Sequence, residues 1–228
     1  MARPSDAGSL TVHPQRLFYR VTTETQRPAP QPLLPARGAK EGISIFEGKL
    51  VRLRQYERED ASLAQPLLNN WQVRRTLNPE NPKPYSLWEE ERFTGGQSTV
   101  QKEFNFAIER LSDNVYVGGC GINELAWISR VATVGIFIGQ PYWNSGYGTD
   151  ALRTLVRFCF EQMNLQKVEL HVHADNARAI RCYEKVGFVQ EGRLRRHVFV
   201  EGDYIDQVSM GILREEFWAM RPQVEEER

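Results

Sequence analysis

Trp143-Asn144-Ser145-Gly146-Tyr147-Gly148-Thr149-Asp150-Ala151 joins two different hydrophobic periods. Before it, Thr133 to Ile138 is rich in the β-branched and aromatic side chains that suit a strand. After it, Leu152, Leu155, Val156, Cys159, Phe160 and Met163 recur at i, i+3, i+4, i+7, i+8 and i+11, which is one buried stripe of a helix. A glycine-punctuated turn between strand and helix presents several backbone N–H groups at the positive end of the helix dipole, and phosphate binds well there. Gly146 and Gly148 carry no Cβ to block a close approach and tolerate positive φ. The segment therefore points to a phosphorylated cofactor.

The flanks supply the rest of a domain. Downstream, Val168, Leu170 and Val172 alternate with Glu169, His171 and His173 in a strand. Asn176 to Val186 reads as a helix stopped by Gly187, a residue suited to the left-handed position past a helix end. His197 to Val200 and Tyr204 to Leu213 close as a hairpin about Glu201-Gly202-Asp203. Upstream, Phe104, Phe106 and Ile108 alternate with polar residues, Asp113-Asn114 makes a turn, and Val115 to Leu125 is a strand loosened by Gly118, Gly119 and Gly121. With Thr133 to Ile138 these form an antiparallel meander on short links. Earlier still, Lys49 to Arg54 reads as a first strand, and Asp60, a candidate N-cap, opens a helix through Ala61, Leu63, Ala64, Leu67 and Leu68. Asn78 to Pro84 is a proline-broken loop, and Ser86 with Glu89 forms a capping box for a helix running to about Phe93. The acidic run Glu89-Glu90-Glu91 is either a solvated face or a rim that attracts an amine. The order β-α-α-β-β-β-α-β-α-β-β describes one α+β domain with a mixed sheet over residues 43–221.

Residues 1–42 differ. Pro28, Pro30, Pro32 and Pro35 break any regular element between Gln26 and Lys40, so this piece is a proline-rich extension, either a flexible tail or an arm that docks on the body or on a second subunit. Residues 222–228 make a short acidic tail. The 228 residues carry 29 basic and 29 acidic side chains, a balance that asks for neither nucleic acid nor an anionic membrane. Cys120, Cys159 and Cys182 are too few and too scattered for a disulfide framework or a metal site. No apolar run approaches the about 18 residues that span a bilayer, and the start lacks the charged-then-apolar order of a signal peptide. A reducing cytoplasm is the expected setting.

Three features together resemble the GCN5-related N-acetyltransferases (GNATs), and within them the branch of spermidine and ribosomal-protein N-terminal acetyltransferases. The turn Trp143-x-x-Gly146-x-Gly148 resembles the family's pyrophosphate loop. Asn176-Ala177-Arg178-Ala179-Ile180-Arg181-Cys182-Tyr183-Glu184-Lys185-Val186-Gly187-Phe188 is similar to its Asn-x-x-Ala-x-x-x-Tyr-x-Lys-x-Gly-Phe segment almost position for position. Val51-Arg52-Leu53-Arg54 with Glu57-Arg58-Glu59-Asp60 is typical of that branch. The resemblance runs from about Lys49 to Trp218 and leaves out the extension.

The resemblance implies a GNAT fold, in which acetyl-CoA lies where two parallel strands splay apart, here Thr133–Ile138 and Val168–His173. It implies that the backbone of Ile136, Phe137 and Ile138 takes the pantetheine arm like an added strand. It implies that N–H groups of Asn144, Ser145, Gly146, Tyr147, Gly148 and Thr149 cradle the pyrophosphate, and that Asn176 and Lys185 also serve the cofactor. Asn176 suits a helix N-cap as well, and both roles can coexist. Tyr183 matches the general acid, whose phenol stays protonated at neutral pH and donates to the leaving sulfur. Many relatives carry a glutamate base at the position of Thr133, which has no basic group; Glu124, where the closest branch also has a glutamate, is the substitute, acting through a water or attracting an ammonium. Trp143 stands where many relatives have Gln or Arg, a position ahead of the turn itself.

These readings imply an acetyl-CoA-dependent N-acetyltransferase acting on a polyamine, another small amine or antibiotic, or a protein N-terminus. The alternative is a non-catalytic acyl-CoA-binding module, favoured by Thr133 and opposed by the intact Tyr183 and glycine loop. A dinucleotide-binding oxidoreductase fails, because a meander rather than βαβ precedes the turn and Leu152 stands near the third glycine's place. His171 and His173 share a strand face without a third ligand, so no metal is expected. Arg193, Arg195, Arg196 and His197 form a basic cluster, either solvated or facing the cofactor's 3′-phosphate or an acidic partner. A homodimer follows from the resemblance alone.

Overall fold

The computed structural model describes residues 44–77, 83–96 and 104–220. The proline-rich extension, most of the Asn78–Pro84 loop and the acidic tail lie outside the described residues. Among the described residues the chain runs β1 (Val51–Arg54), α1 (Asp60–Asn69), α2 (Trp71–Arg74), α3 (Leu87–Gly96), β2 (Asn105–Arg110), β3 (Tyr116–Ala126), β4 (Val131–Ile138), α4 (Tyr147–Glu161), β5 (Lys167–His173), α5 (Ala177–Val186), β6 (Val189–Val200), β7 (Asp203–Leu213) and α6 (Arg214–Ala219). A single 3-10 turn, Gln140–Tyr142, precedes the glycine loop. The seven strands form one sheet in the order β1-β2-β3-β4-β5-β7-β6. Every neighbouring pair is antiparallel except β4 and β5. This is the mixed, mostly antiparallel α+β sheet predicted from the sequence.

Each sheet face has its own core. On one side Val51, Ile108, Val117, Ala132 and Val134 pack with Leu152, Leu155 and Val156 of α4 and Val186 of α5. On the other, Ala107 and Tyr116 pack with Ala64 and Leu68 of α1. The stripe read from the sequence is the buried face of α4, and it carries the larger core because it lies under the centre of the sheet.

Local signals account for the start of α3 and both ends of α5. Ser86 N–H donates to Glu89 Oε2 at 2.9 Å while Glu89 N–H donates to Ser86 Oγ at 3.3 Å, the reciprocal box expected for α3. Asn176 caps α5 by accepting from Ala179 N–H at 3.2 Å, and Gly187 ends it at φ 108°. Asp60 departs from expectation. Glu59 holds the N-cap position, and Asp60 is the first helical residue, its carboxylate buried and engaged by the Arg54 guanidinium at 2.7 and 2.9 Å. Arg54 also reaches Glu109 at 2.5 Å, and Arg52 pairs with Glu109 as well. These carboxylates hold the Arg54 charge well above its ordinary range despite burial, with Asp60 the larger influence. The short α2 and α6 have no separate signal in the hydrophobic pattern.

Asp150 ties the start of α4 to the edge of the sheet. Its two carboxylate oxygens accept from Lys49, Leu50 and Val51 N–H at 3.0, 2.7 and 3.1 Å. A Cβ at Gly48 would overlap that carboxylate, so the chain must have glycine there to pass so close. Two turns along α4, Arg157 Nη2 donates to the carbonyls of Ile45 and Glu47 at 2.9 and 2.7 Å. Asp150→Ala leaves three backbone donors without their acceptor, and we expect a loss of about 2–4 kcal/mol in urea unfolding at unchanged m-value, with Asp150→Asn intermediate.

Candidate active site

The parallel pairing of β4 and β5 is short. Val131, Ala132 and Thr133 pair with Lys167, Val168 and Glu169, and β4 then continues to Ile138 without β5. Both strands stay paired on their outer sides, β4 to β3 and β5 to β7 over its whole length. The sheet therefore opens at its centre, as expected for splayed strands. Gly139 N–H donates to Val117 C=O at 2.9 Å, so by the alternation of an antiparallel ladder Phe137 and Gly135 turn their peptide groups to β3. Ile136 and Ile138 turn theirs into the opening. Of the three residues read as a backbone edge for a ligand, these two face the gap. Phe137 does not, and its ring lies on the opposite face with α1. The Ile138 carbonyl is already taken by the indole N–H of Trp143 at 2.7 Å.

The glycine loop closes one end of this opening. Asn144 and Gly146 sit at φ 60° and 84°, and Gly146 occupies the N-cap of the 15-residue α4 with no side-chain cap of its own. The first-turn N–H groups of Tyr147, Gly148 and Thr149 are those a helix cannot satisfy internally. Ser145 Oγ turns back to the Trp143 carbonyl at 3.3 Å, and Thr149 Oγ1 meets Cys182 Sγ at 3.3 Å. That contact brings α5 against the loop. Asn176 stands at the start of α5, its amide nitrogen unused in the capping bond, and Lys185 is exposed in the last turn. Tyr183, between them, is buried in the core with its ring 6.2 Å from that of Phe188. Burial pushes its phenol above its ordinary value of 10, so it is a proton donor throughout the neutral range. An open strand edge, a row of N–H donors and a buried phenol fit a long ligand with amide groups in its arm and a diphosphate at its end.

A second cleft, of about 450 Å³, lies on the α1–α3 side of the same strands. Tyr56, Tyr85, Phe93 and Phe137 wall it, and Gly119, Gly121 and Gly135 form part of its floor. Two carboxylates reach it. Glu89 is held down to about 2 by Lys83 Nζ, 2.6 Å away, and by its capping bonds to Ser86. Glu90 is 6% exposed and joins no ion pair among the described residues. Burial, helped by the charge of Glu89, raises its proton affinity, and Arg74 only partly offsets this. Of the two readings of the acidic run, the amine-attracting rim has its geometric basis in Glu90.

Glu124 stands elsewhere. It is exposed, cross-strand from Thr133, and lines a separate recess of about 220 Å³ with Thr133 and Glu169. Thr133 Oγ1 donates to Glu169 at 3.4 Å, and Lys167 pairs with Glu169. Glu124 is thus beside the point where the strands part, outside the aromatic cleft. The aromatic walls were missed from the sequence because they come from four separate segments. Their only signal was an aromatic spacing that also suits a core. His171 meets Ser209 Oγ at 3.1 Å, His173 is buried, and no metal-holding group is present among the described residues. The basic cluster lies on β6, the outer strand of the sheet, where Arg193 pairs with Asp206 at 2.6 Å. No helix among the described residues is long and apolar enough to cross a membrane.

The profile of the acetyltransferase (GNAT) domain family matches residues 51–189. An uncharacterized N-acetyltransferase of SPbeta prophage origin in Bacillus subtilis is 31% identical over 182 residues, which are 77% of this chain and 96% of that protein. The spermidine N(1)-acetyltransferase of Vibrio cholerae is 30% identical over 166 residues, 72% of this chain and 94% of that protein. The crystal structure of the Vibrio cholerae spermidine N-acetyltransferase in complex with CoA and spermine superposes with a TM-score of 0.67 at 28% identity, covering 74% of this chain and 98% of that one. An alanine at Gly146 would be forced to φ 84° with its Cβ 3.2 Å from Leu50, so we expect Gly146→Ala to weaken CoA binding about tenfold by calorimetry. Its melting temperature should move far less than that of Asp150→Ala.

Proposed function

This chain belongs to the GNAT acetyltransferase family, and from that premise we propose that it transfers the acetyl group of acetyl-CoA to a small primary amine seated in the Glu90 cleft. The observation that carries the acceptor assignment is the buried Glu90, with no ion pair among the described residues, set among aromatic walls on the face of β4 opposite α4. A carboxylate in such a place attracts an ammonium, and aromatic faces favour the same charge. Cofactor and acceptor then approach β4 from different sides and meet at the parted strands.

The residues divide the work as follows. Ile136 and Ile138 peptide groups and the loop N–H groups from Asn144 to Thr149 hold the donor, with Asn176 and Lys185 on the α5 lip. Glu90 draws in the ammonium. Glu124, cross-strand from Thr133, takes its proton through a water. The freed amine attacks the thioester carbonyl, the new C–N bond forms as the C–S bond breaks, Tyr183 gives its proton to the departing sulfur, and the excess proton on the new amide nitrogen passes through solvent to restore the phenol. The raised pKa of Tyr183 supports its part as the acid.

A polyamine is the first acceptor to test, because the Vibrio cholerae relatives carry spermidine in their names. A peptide N-terminus is the second, after a putative ribosomal N-acetyltransferase of Bacillus subtilis at 25% identity. A cytoplasmic setting is supported by the three free cysteines. A homodimer rests on the resemblance to this branch.

Release of free thiol from acetyl-CoA against polyamines, other small amines and peptides tests this reading. We expect amine-dependent release that falls at least about hundredfold in kcat in Tyr183→Phe, with little change in KM for acetyl-CoA. Glu90→Gln should raise KM for the amine more than it lowers kcat. Because burial raises the Tyr183 pKa, the rate should show no alkaline fall below about pH 10 from loss of the acid. Tight acetyl-CoA binding without release for any amine would favour the non-catalytic module instead.

A further inference from the structure

Arg178 sits in the first turn of α5, half-buried, with its guanidinium carbon 3.2 Å from the centroid of the Trp143 ring. The two residues come from opposite lips of the opening, Trp143 from the end of the β4 side and Arg178 from the start of α5. Trp143 is fixed in turn by its indole bond to the Ile138 carbonyl at 2.7 Å, so the ring ends the open edge of β4 and carries a cation across the gap.

Arg52, Arg54, Arg75, Arg110 and Arg193 each pair with a carboxylate. Arg178 joins no ion pair among the described residues, although burial disfavours its charge. A half-buried guanidinium without an anion is an incomplete arrangement. Stacking occupies its face, and its in-plane N–H donors, the edge that binds phosphate oxygens in pairs, have no acceptor among the described residues. Its place along α5 says which phosphate. Cys182, one turn further on the same face, touches Thr149 Oγ1 at 3.3 Å in the first turn of α4. The Arg178 face of α5 is therefore the one applied to the glycine loop.

We infer that Arg178, held by its stack on Trp143, is the fixed cation for the diphosphate of the cofactor, facing the loop N–H groups from the other lip. The inference rests on the reading that this chain binds acetyl-CoA. It assigns a binding function to a pair, Trp143 and Arg178, that joins the end of the β4 side to the start of α5.

Calorimetric titration with CoA, 3′-dephospho-CoA and pantetheine tests it, on the wild type, Arg178→Ala, Arg178→Lys and Trp143→Ala. We expect Arg178→Ala to weaken CoA and 3′-dephospho-CoA by the same factor, about 10- to 100-fold, to reduce the salt dependence of both, and to leave pantetheine unchanged. Arg178→Lys should recover part of the loss through charge alone, and Trp143→Ala should reproduce part of it by releasing the guanidinium. A loss confined to CoA would move Arg178 to the 3′-phosphate and overturn the assignment. An equal loss for pantetheine would make the pair a mechanical clasp and overturn it too, as would unchanged affinity in Arg178→Ala beside normal wild-type binding. A wild type that binds no CoA would overturn the cofactor reading together with this one.

Discussion

The sheet is continuous across β4 and β5 for only three residue pairs, and the arrangement of both candidate sites follows from that limit. A central strand with an unpaired edge is costly, because peptide groups inside a protein need partners. Here β4 keeps its ladder to β3 and β5 its ladder to β7, so on the β4 lip the cost falls on the gap-facing groups of Ile136 and Ile138. The indole of Trp143 answers one of those groups, and in the function proposed above an extended ligand with amides in its arm answers others in the manner of strand addition. A gap of this kind persists only if both lips are anchored from behind. Asp150 and Arg157 do so for α4 by binding the chain around β1, and the Arg54–Asp60–Glu109 cluster fixes β1 to α1 and β2.

The two faces of the opening carry opposite electrostatics. On the α5 side stands a cation, Arg178, and on the α3 side a carboxylate, Glu90, neither in an ion pair among the described residues. The chain as a whole has 29 charges of each sign, so this division is invisible in its net charge. It is what a donor bearing phosphates and an acceptor bearing an ammonium require if they are to arrive from different sides of one strand.

Much of this was legible in the sequence because it is locally encoded. Asn176 and Gly187 bracket α5 by their own chemistry, Ser86 and Glu89 open α3, and the α4 stripe identifies the helix that leaves the glycine loop. All seven strands were expected, some from alternation and others from β-branched content or a hairpin turn, although β6 begins at Val189 rather than His197, since an exposed outer strand need not alternate. What was hidden depends on three-dimensional neighbours. Glu89 and Glu90 look equivalent in a run of acids, but adjacent helical residues point about 100° apart, so one caps the helix and the other is buried in the cleft. Phe137 looks like a third backbone contact beside Ile136 and Ile138, but ladder alternation gives its peptide group to β3 and its ring to the other face. The place of Glu124 follows from a bulge between Ile122 and Glu124, which shifts the register and which no spacing in the sequence announces.

The central claim is that the donor is held as an added strand along the open edge of β4. Residue-resolved amide hydrogen exchange, with and without CoA, addresses it at the atoms concerned. The account expects the Ile136 and Ile138 amides to exchange quickly in the free protein and to slow markedly with CoA, while the Phe137 amide, already bonded to β3, is protected in both. Tight CoA binding that leaves Ile136 and Ile138 exchanging as before would contradict it.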